Sequence, residues 1–195
     1  MSLTKKPAKA VFAVAVVLAG AAISPGVAQA VSPVALVAEA KPAPIAALEP
    51  LSSLIGSWTC SGVTTGWDGT RTQFDTTSTA KFVLNGNWLR WQEASTSNGT
   101  PIGSAEYFWG WDAQQNLFTV DRYDDAGQRG KQTTPGWVGD VLTSTGDLVQ
   151  PGGFTMSLTT TITKTGKKAF TVRAVADLGA AAGNATVVSE SACTR

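Results

Sequence analysis

Apolar and polar side chains alternate every second residue in several segments of the chain, and this alternation constrains the fold more than any other sequence feature. The clearest examples are "FDTTSTAKFVL" (74–84), "AEYFWGW" (105–111), "LFTVDRYD" (117–124), "FTMSLTTTI" (154–162) and "AFTVRAVADL" (169–178). A period of two is typical of β-strands that bury one face. Turn signals such as "NGN", "TKTGKK" and "GAAAGN" separate the segments. The pattern predicts about eight to ten short strands.

The connections between these strands are short, and the strands follow one another without a long helical crossover. This organisation predicts an all-β fold, an antiparallel up-and-down β-barrel, because closing the sheet removes exposed strand edges. A two-sheet sandwich would show the same alternation and is the alternative. A short helical turn is expected before the first strand, with Leu51, Leu54 and Ile55 on one side and Gly56 as its stop.

The first thirty residues have the pattern of a secretory signal peptide. Three lysines precede the apolar run "VFAVAVVLAGAAI", and Ala28-Gln29-Ala30 is the small-Xaa-small pattern of a cleavage site. The apolar run is short for a membrane span, which needs about 20 residues. Cleavage near Ala30 would place the mature protein outside the cytoplasm, in the periplasm or secreted, and the style of the signal is bacterial.

Residues 31–50 are rich in Ala, Pro and Val and predict a flexible linker, which leaves residues 51–195 as one domain. The chain has 15 Lys and Arg and 14 Asp and Glu, and its first thirty residues contain three of the basic residues and no acidic one. The remainder therefore has a formal net charge of −2. Because it also has no basic run, we expect neither a nucleic-acid partner nor stable membrane insertion after cleavage.

Cys60 and Cys193 are the two cysteines, and histidine is absent from the chain. An even pair of cysteines in an exported protein favours a structural disulfide over a reactive thiol. Without histidine, Ser-His-Asp and Cys-His catalysis, imidazole metal sites and histidine-ligated haem are excluded. We therefore expect neither a metal ion nor another cofactor.

"LIGSWTCSG" (54–62) begins the predicted barrel, and its Gly56-Xaa-Trp58 triplet followed by Gly62 resembles the first-strand signature of the calycin superfamily. That superfamily includes lipocalins, fatty-acid-binding proteins and nitrobindin-like barrels. "LNGNWLRWQEAS" (84–95) and "YFWGWDAQQNLFTVDRYDDAG" (107–127) are similar to segments of lipocalin-like bacterial domains of unknown function. The resemblance extends over about residues 51–193.

The resemblance implies that Gly56 and Trp58 form the floor of the barrel, with the indole packed under an arginine from late in the chain. Arg173 and Arg195 are both candidates for that arginine. Nitrobindin-like barrels bind haem through a histidine near the C-terminus, which this chain lacks, so haem binding is not expected here.

Extending the apolar faces places a candidate ligand-binding site on the strands between Trp88 and Tyr123. Trp91, Tyr107 and Trp109 would form apolar walls, and Glu93, Arg122 and the Tyr107 hydroxyl would orient a ligand. A buried lone charge is costly, so Glu93 and Arg122 should pair or face a water-filled cavity.

Two other interpretations of these strands stay open. The aromatic residues could be core and the charges could lie at the barrel rim. A register slip by one residue would instead turn Trp88, Arg90 and Gln92 inward.

The sequence favours a protein that binds a small apolar or amphipathic molecule over an enzyme. An isomerase, cyclase or hydrolase acting on a lipid-like or sugar substrate is the first alternative, and its carboxylates would come from Glu93, Glu106, Asp121 or Asp124. A carbohydrate-binding or structural surface module is the second, with Trp67 and Trp137 in predicted loops as stacking platforms.

Overall fold

Residues 45–195 are described by the computed structural model, and they form a single antiparallel β-barrel. The predicted signal peptide and most of the predicted linker lie outside the described residues. The strands are β1 (Gly56–Thr65), β2 (Arg71–Val83), β3 (Trp88–Ser97), β4 (Thr100–Asp112), β5 (Leu117–Asp124), β6 (Arg129–Thr134), β7 (Trp137–Val138), β8 (Val141–Val149), β9 (Thr155–Gly166), β10 (Ala169–Asp177) and β11 (Thr186–Thr194).

The barrel closes because two pairings join strands that are not neighbours in chain order. Neighbouring strands pair in chain order, β1 pairs with β11, and β6 pairs with β8. The two-residue strand β7 pairs only with β8, along the edge of β8 that also pairs with β6, so it adds no further strand to the ring. Ten strands therefore make the wall, which confirms the predicted up-and-down barrel and excludes the sandwich.

The alternation in the sequence corresponds to the inner and outer faces of the wall. On β2, Thr76, Ser78, Ala80 and Phe82 are buried, and the residues between them face solvent. The predicted "NGN" hairpin connects β2 to β3, and its backbone has positive φ at Leu84, at Asn85 and at the glycine that follows. Gly and Asn tolerate this left-handed conformation, so the turn chemistry agrees with the predicted hairpin.

A 3-10 helix at Ala46–Leu54 covers one end of the barrel. Leu48, Leu51 and Leu54 are buried at a spacing of three residues, which is the period of a 3-10 helix. The predicted helical turn is therefore present, but it begins within the segment predicted as linker and adds Leu48 to the buried side. Ile55 follows the helix and is partly buried against the same core. No helix among the described residues is long and apolar enough to cross a membrane.

The helix defines a closed end of the barrel, where β1 begins and β11 ends. Trp58 lies just inside this end, and its indole N–H donates a 2.8 Å hydrogen bond to the Leu54 carbonyl. The ring packs edge-on against Phe170 at 4.5 Å between ring centroids. The Arg195 guanidinium lies over the indole, with its carbon 4.2 Å from the ring centroid.

Arg195, rather than Arg173, is therefore the arginine that covers the floor tryptophan. It also donates hydrogen bonds to the backbone carbonyls of Ile55 and Ser53. Arg173 instead forms an exposed ion pair with Glu190, at 3.1 Å.

The predicted disulfide is present and joins the first strand to the last. Cys60 on β1 and Cys193 on β11 are directly opposite one another in the antiparallel register. Both residues are buried against the barrel interior. The covalent bond therefore reinforces one of the two pairings on which closure of the ring depends.

Candidate functional site

The interior of the barrel contains a cavity of about 370 Å³ that opens at the end opposite the helix. Its open end is surrounded by the connections at 66–70, 98–99, 125–128, 150–154 and 178–185. The deepest lining comes from Cys60 and Cys193 with the aromatic residues above the floor, and Thr64, Thr72 and Ile102 line it near the mouth. The interior of this barrel is thus not solidly filled.

All five residues of the candidate ligand-binding site line this cavity: Trp91, Glu93, Tyr107, Trp109 and Arg122. They lie on three consecutive strands, β3, β4 and β5, and project from the same face. The residues that a register slip would have turned inward, Trp88, Arg90 and Gln92, do not line the cavity.

The aromatic part of the lining lies deep in the cavity. Trp91 and Trp109 are almost fully buried, and Trp91 packs edge-on against Phe170 at 5.9 Å between ring centroids. Phe170 also contacts Trp58, so a series of aromatic contacts connects the cavity lining to the floor of the barrel. Large aromatic rings held by such contacts form a rigid apolar surface.

The polar part of the lining is a chain of hydrogen bonds across the three strands. The Tyr107 hydroxyl donates to Glu93 Oε1 at 2.8 Å, and Arg122 Nε donates to the same hydroxyl at 3.3 Å. Tyr107 and Arg122 are directly opposite in the register of β4 and β5. The sequence predicted that Glu93 and Arg122 would pair or face a water-filled cavity. Both side chains line the cavity, and the Tyr107 hydroxyl bridges them.

Asp124 is the direct partner of Arg122 and was not assigned this role from sequence. Arg122 Nη1 lies 2.9 Å from Asp124 Oδ2, and the Asp124 side chain is only 7% exposed. The Gln128 backbone N–H donates to Asp124 Oδ1 at 2.8 Å. Arg122 and Asp124 are two residues apart on one strand, so they lie on the same face. This spacing is the sequence signal that could have predicted the pair.

The electrostatics of the cluster follow from its depth. Burial raises the pKa of the Glu93 carboxyl above its ordinary value, and the Tyr107 hydrogen bond and the charge of Arg122 only partly oppose this effect. Burial, and then the charge of Glu93, also raise the pKa of the Tyr107 hydroxyl well above its ordinary value. Tyr107 therefore acts as a neutral hydrogen-bond donor toward Glu93 over the physiological pH range.

Hydroxyl groups line much of the remaining wall. Thr76 and Ser95 hydrogen-bond to each other at 2.7 Å, and Thr64 and Ser189 do so at 3.1 Å. Ser78 is buried and its hydroxyl has no hydrogen-bond partner among the described residues. Ser78 lies directly opposite Glu93 in the register of β2 and β3, so this free hydroxyl belongs to the same part of the cavity.

The carboxylates considered for an enzyme are not gathered in the cavity. Glu106 lies on the other face of β4 and accepts a 2.8 Å hydrogen bond from Arg90 Nε. Asp121 does not line the cavity, and Asp124 is occupied by Arg122. Among the described residues, Glu93 is the one carboxylate of the cavity lining, whereas glycoside hydrolases use two.

The two tryptophans considered for sugar stacking lie at opposite ends of the barrel. Trp67 is in the turn between β1 and β2 at the open end and is 69% exposed. Trp137 is part of β7 at the closed end, where Lys164 Nζ lies 3.8 Å from its ring centroid. The prediction of a loop at Trp137 is therefore wrong, and the two indoles do not form one surface.

Comparisons with known proteins support the fold. No protein-family model matches the sequence, and no curated protein matches it. The crystal structure of Rv2717c from M. tuberculosis is similar at a TM-score of 0.63 and 14% identity, over 78% of this chain and 99% of that one. At this identity the similarity shows the fold alone, and it agrees with the lipocalin-like barrel.

Two further solved structures are similar at lower TM-scores. The S-type phycobiliprotein lyase CPES from Guillardia theta has a TM-score of 0.47 and 9% identity, over 73% of this chain and 88% of that one. A redesigned β-barrel has a TM-score of 0.37 and 16% identity, over 74% of this chain and 92% of that one.

Proposed function

We propose that this barrel binds a small amphipathic molecule in its central cavity. The observation that carries the proposal is a cavity of about 370 Å³ with one closed end, one open end, and both aromatic and polar lining. Pockets for small molecules combine mostly apolar walls with a few polar groups that fix the orientation of the ligand.

The two parts of the lining correspond to two parts of a ligand. An apolar portion would contact Trp91 and Trp109 above the barrel floor. A polar portion would reach the cluster of Glu93, Tyr107 and Arg122, which the hydrogen bonds between them hold in place. A preorganised cluster loses little conformational freedom on binding, and this favours affinity.

Export from the cytoplasm is part of the same proposal. Its support is the signal-peptide pattern of the first thirty residues together with the disulfide between Cys60 and Cys193. Disulfides persist in oxidising compartments and are rare in the cytosol. We infer a soluble carrier or receptor for a small molecule outside the cytoplasm.

Filling the cavity tests the proposal. Ala174 on β10 lines the cavity, so Ala174→Phe would occupy part of the space that a ligand needs. We expect the variant to lose binding of an environment-sensitive apolar dye by about tenfold or more, since a bulky side chain and a ligand exclude one another. The measurement is a fluorescence titration, accompanied by native mass spectrometry of protein purified from its source.

The matched control is Thr171→Phe, which introduces the same side chain at an exposed position of the same strand. It should bind the dye as the unaltered protein does. Equal dye binding by Ala174→Phe and the unaltered protein, with the fold intact by circular dichroism, would exclude the cavity as the binding site.

A further inference from the structure

We propose that the ligand carries a positive charge, as an amine or another organic cation, and that its head group binds against Glu93 between Ser78 and Trp91. The inference rests on the proposed function, because it assigns the chemical class of the molecule that the cavity holds.

The charges at the cavity are not balanced. Glu93 and Arg122 are the charged residues of the lining within the described chain, and Asp124 lies against Arg122 at 2.9 Å. Because the Arg122–Asp124 pair is neutral as a whole, an ionised Glu93 leaves one net negative charge. A buried charge without a counter-ion is costly, so one bound cation would compensate the negative charge of Glu93.

The hydrogen-bonding capacity of the site points the same way. Glu93 Oε1 accepts from the Tyr107 hydroxyl at 2.8 Å. A carboxylate has about four acceptor positions, so Glu93 can still accept from a further donor. Ser78, directly across on β2, has a buried hydroxyl without a partner. An ammonium group has three donors and no acceptor, which suits a carboxylate oxygen and a hydroxyl oxygen side by side.

Trp91 supplies a third element of the same site. It precedes Glu93 by two residues on β3, so both side chains project from one face into the cavity. An indole ring attracts a cation placed over its face, and the attraction strengthens when the cation is removed from water. The opposite wall contributes no charged side chain; among the described residues it is formed by Leu158, Thr160, Ile162, Val172, Ala174 and Ser191.

The open end favours the approach of a cation. Its five connecting segments contain Asp68 and Asp125 and, within the described residues, neither lysine nor arginine. Asp124 is already paired with Arg122, so the adjoining strand ends contribute Arg71 and Arg129 against Asp177. Together with Asp68 and Asp125, the open end therefore has three carboxylates and two guanidinium groups. A mouth with this charge raises the local concentration of cations and lowers that of anions.

Three probes with the same apolar tail and different head groups test the inference: octylammonium, octanol and octanoate. Isothermal titration of the full chain near neutral pH should give a Kd for octylammonium about tenfold to a hundredfold below that for octanol, the usual range for a charge-assisted hydrogen bond. Octanoate should bind more weakly than octanol, because Glu93 would repel its carboxylate.

Glu93→Gln should abolish the preference for octylammonium over octanol, because the amide oxygen can still accept from Tyr107 but carries no negative charge. Glu106→Gln is the matched control, because Glu106 faces away from the cavity, and it should retain the preference.

Tighter binding of octanoate than of octylammonium by the unaltered protein, or a preference that persists in Glu93→Gln, would overturn the inference. If octanol and octanoate bind and octylammonium does not, the cavity binds ligands and only the cation assignment fails. If none of the three probes binds, the proposed function fails with it.

Discussion

One end of the barrel is closed by contacts among three residues, Gly56, Trp58 and Arg195. The Arg195 guanidinium covers the indole of Trp58 and is held by the carbonyls of Ser53 and Ile55. Gly56 makes room for it, because a Cβ atom at position 56 would lie 2.7 Å from Arg195 Nη1. The backbone of Gly56 has φ of 132°, a conformation that residues with a side chain rarely adopt. Glycine is therefore required here for two independent reasons.

Gly56→Ala should lower the free energy of unfolding by about 1–3 kcal/mol from backbone strain, with an added loss from displacing Arg195. Urea denaturation followed by tryptophan fluorescence measures the change. Gly139→Ala is the control, since Gly139 also has positive φ but a Cβ there meets no atom within 4 Å. Equal losses in the two variants would show that the contact with Arg195 does not contribute.

The pairing of β1 with β11 is the element that joins the two ends of the described chain. Its register places Cys60 opposite Cys193, across 133 residues of sequence. A covalent bond that closes so long a loop restricts the unfolded chain strongly in the chain-entropy model. The strand pairing and the disulfide therefore support the same long-range contact.

Replacing both cysteines by alanine should lower the free energy of unfolding by about 2–5 kcal/mol, the usual range for removal of a native disulfide. Chemical denaturation of the variant and of the reduced unaltered protein should agree. Thiol titration of the unreduced protein under denaturing conditions should detect no free cysteine, and a reactive thiol in each chain would contradict the bond.

At the scale of the whole molecule, the barrel combines a rigid wall with an unfilled, partly polar interior. Closure through β1–β11 and β6–β8 removes strand edges, while the cavity leaves Glu93 in surroundings that disfavour its charge. The free energy that such a burial costs must be supplied by the rest of the fold. Stability should consequently depend on pH through this one interior group.

Because the folded-state pKa of Glu93 is raised, the native state holds its proton more tightly than the unfolded state does. The free energy of unfolding should therefore fall as pH rises from the ordinary glutamate pKa through the raised one. Urea denaturation across this window measures the decline, and Glu93→Gln should remove it.

Other titrations fall outside this window. Backbone and side-chain hydrogen bonds lower the pKa of Asp68 and of Asp112. The contribution of these two groups to stability is therefore lost only at more acidic pH. The pKa of the Tyr107 hydroxyl is raised, so this group loses its proton only under strongly alkaline conditions. A stability that does not change with pH above the ordinary glutamate pKa would contradict the burial of Glu93.

Much of the candidate site could be predicted because face alternation is a local property. Once the apolar face of each strand is taken as inward, the period of two puts Trp91 and Glu93 of β3, Tyr107 and Trp109 of β4 and Arg122 of β5 on the cavity side. The same alternation puts Ser78 on the inner face of β2, but it does not predict that the Ser78 hydroxyl lacks a partner. Its position opposite Glu93 depends on the β2–β3 register.

The sequence by itself determined the strands, most of their turns, the side chains available to the interior and the cysteine pair, because each depends on residue type and local spacing. Tertiary structure alone decided that β6 pairs with β8, that Arg195 covers Trp58, and that Tyr107 joins Glu93 to Arg122. The physical reason is that a barrel and a sandwich share one alternation pattern. Only long-range strand pairing distinguishes them and brings distant side chains into contact.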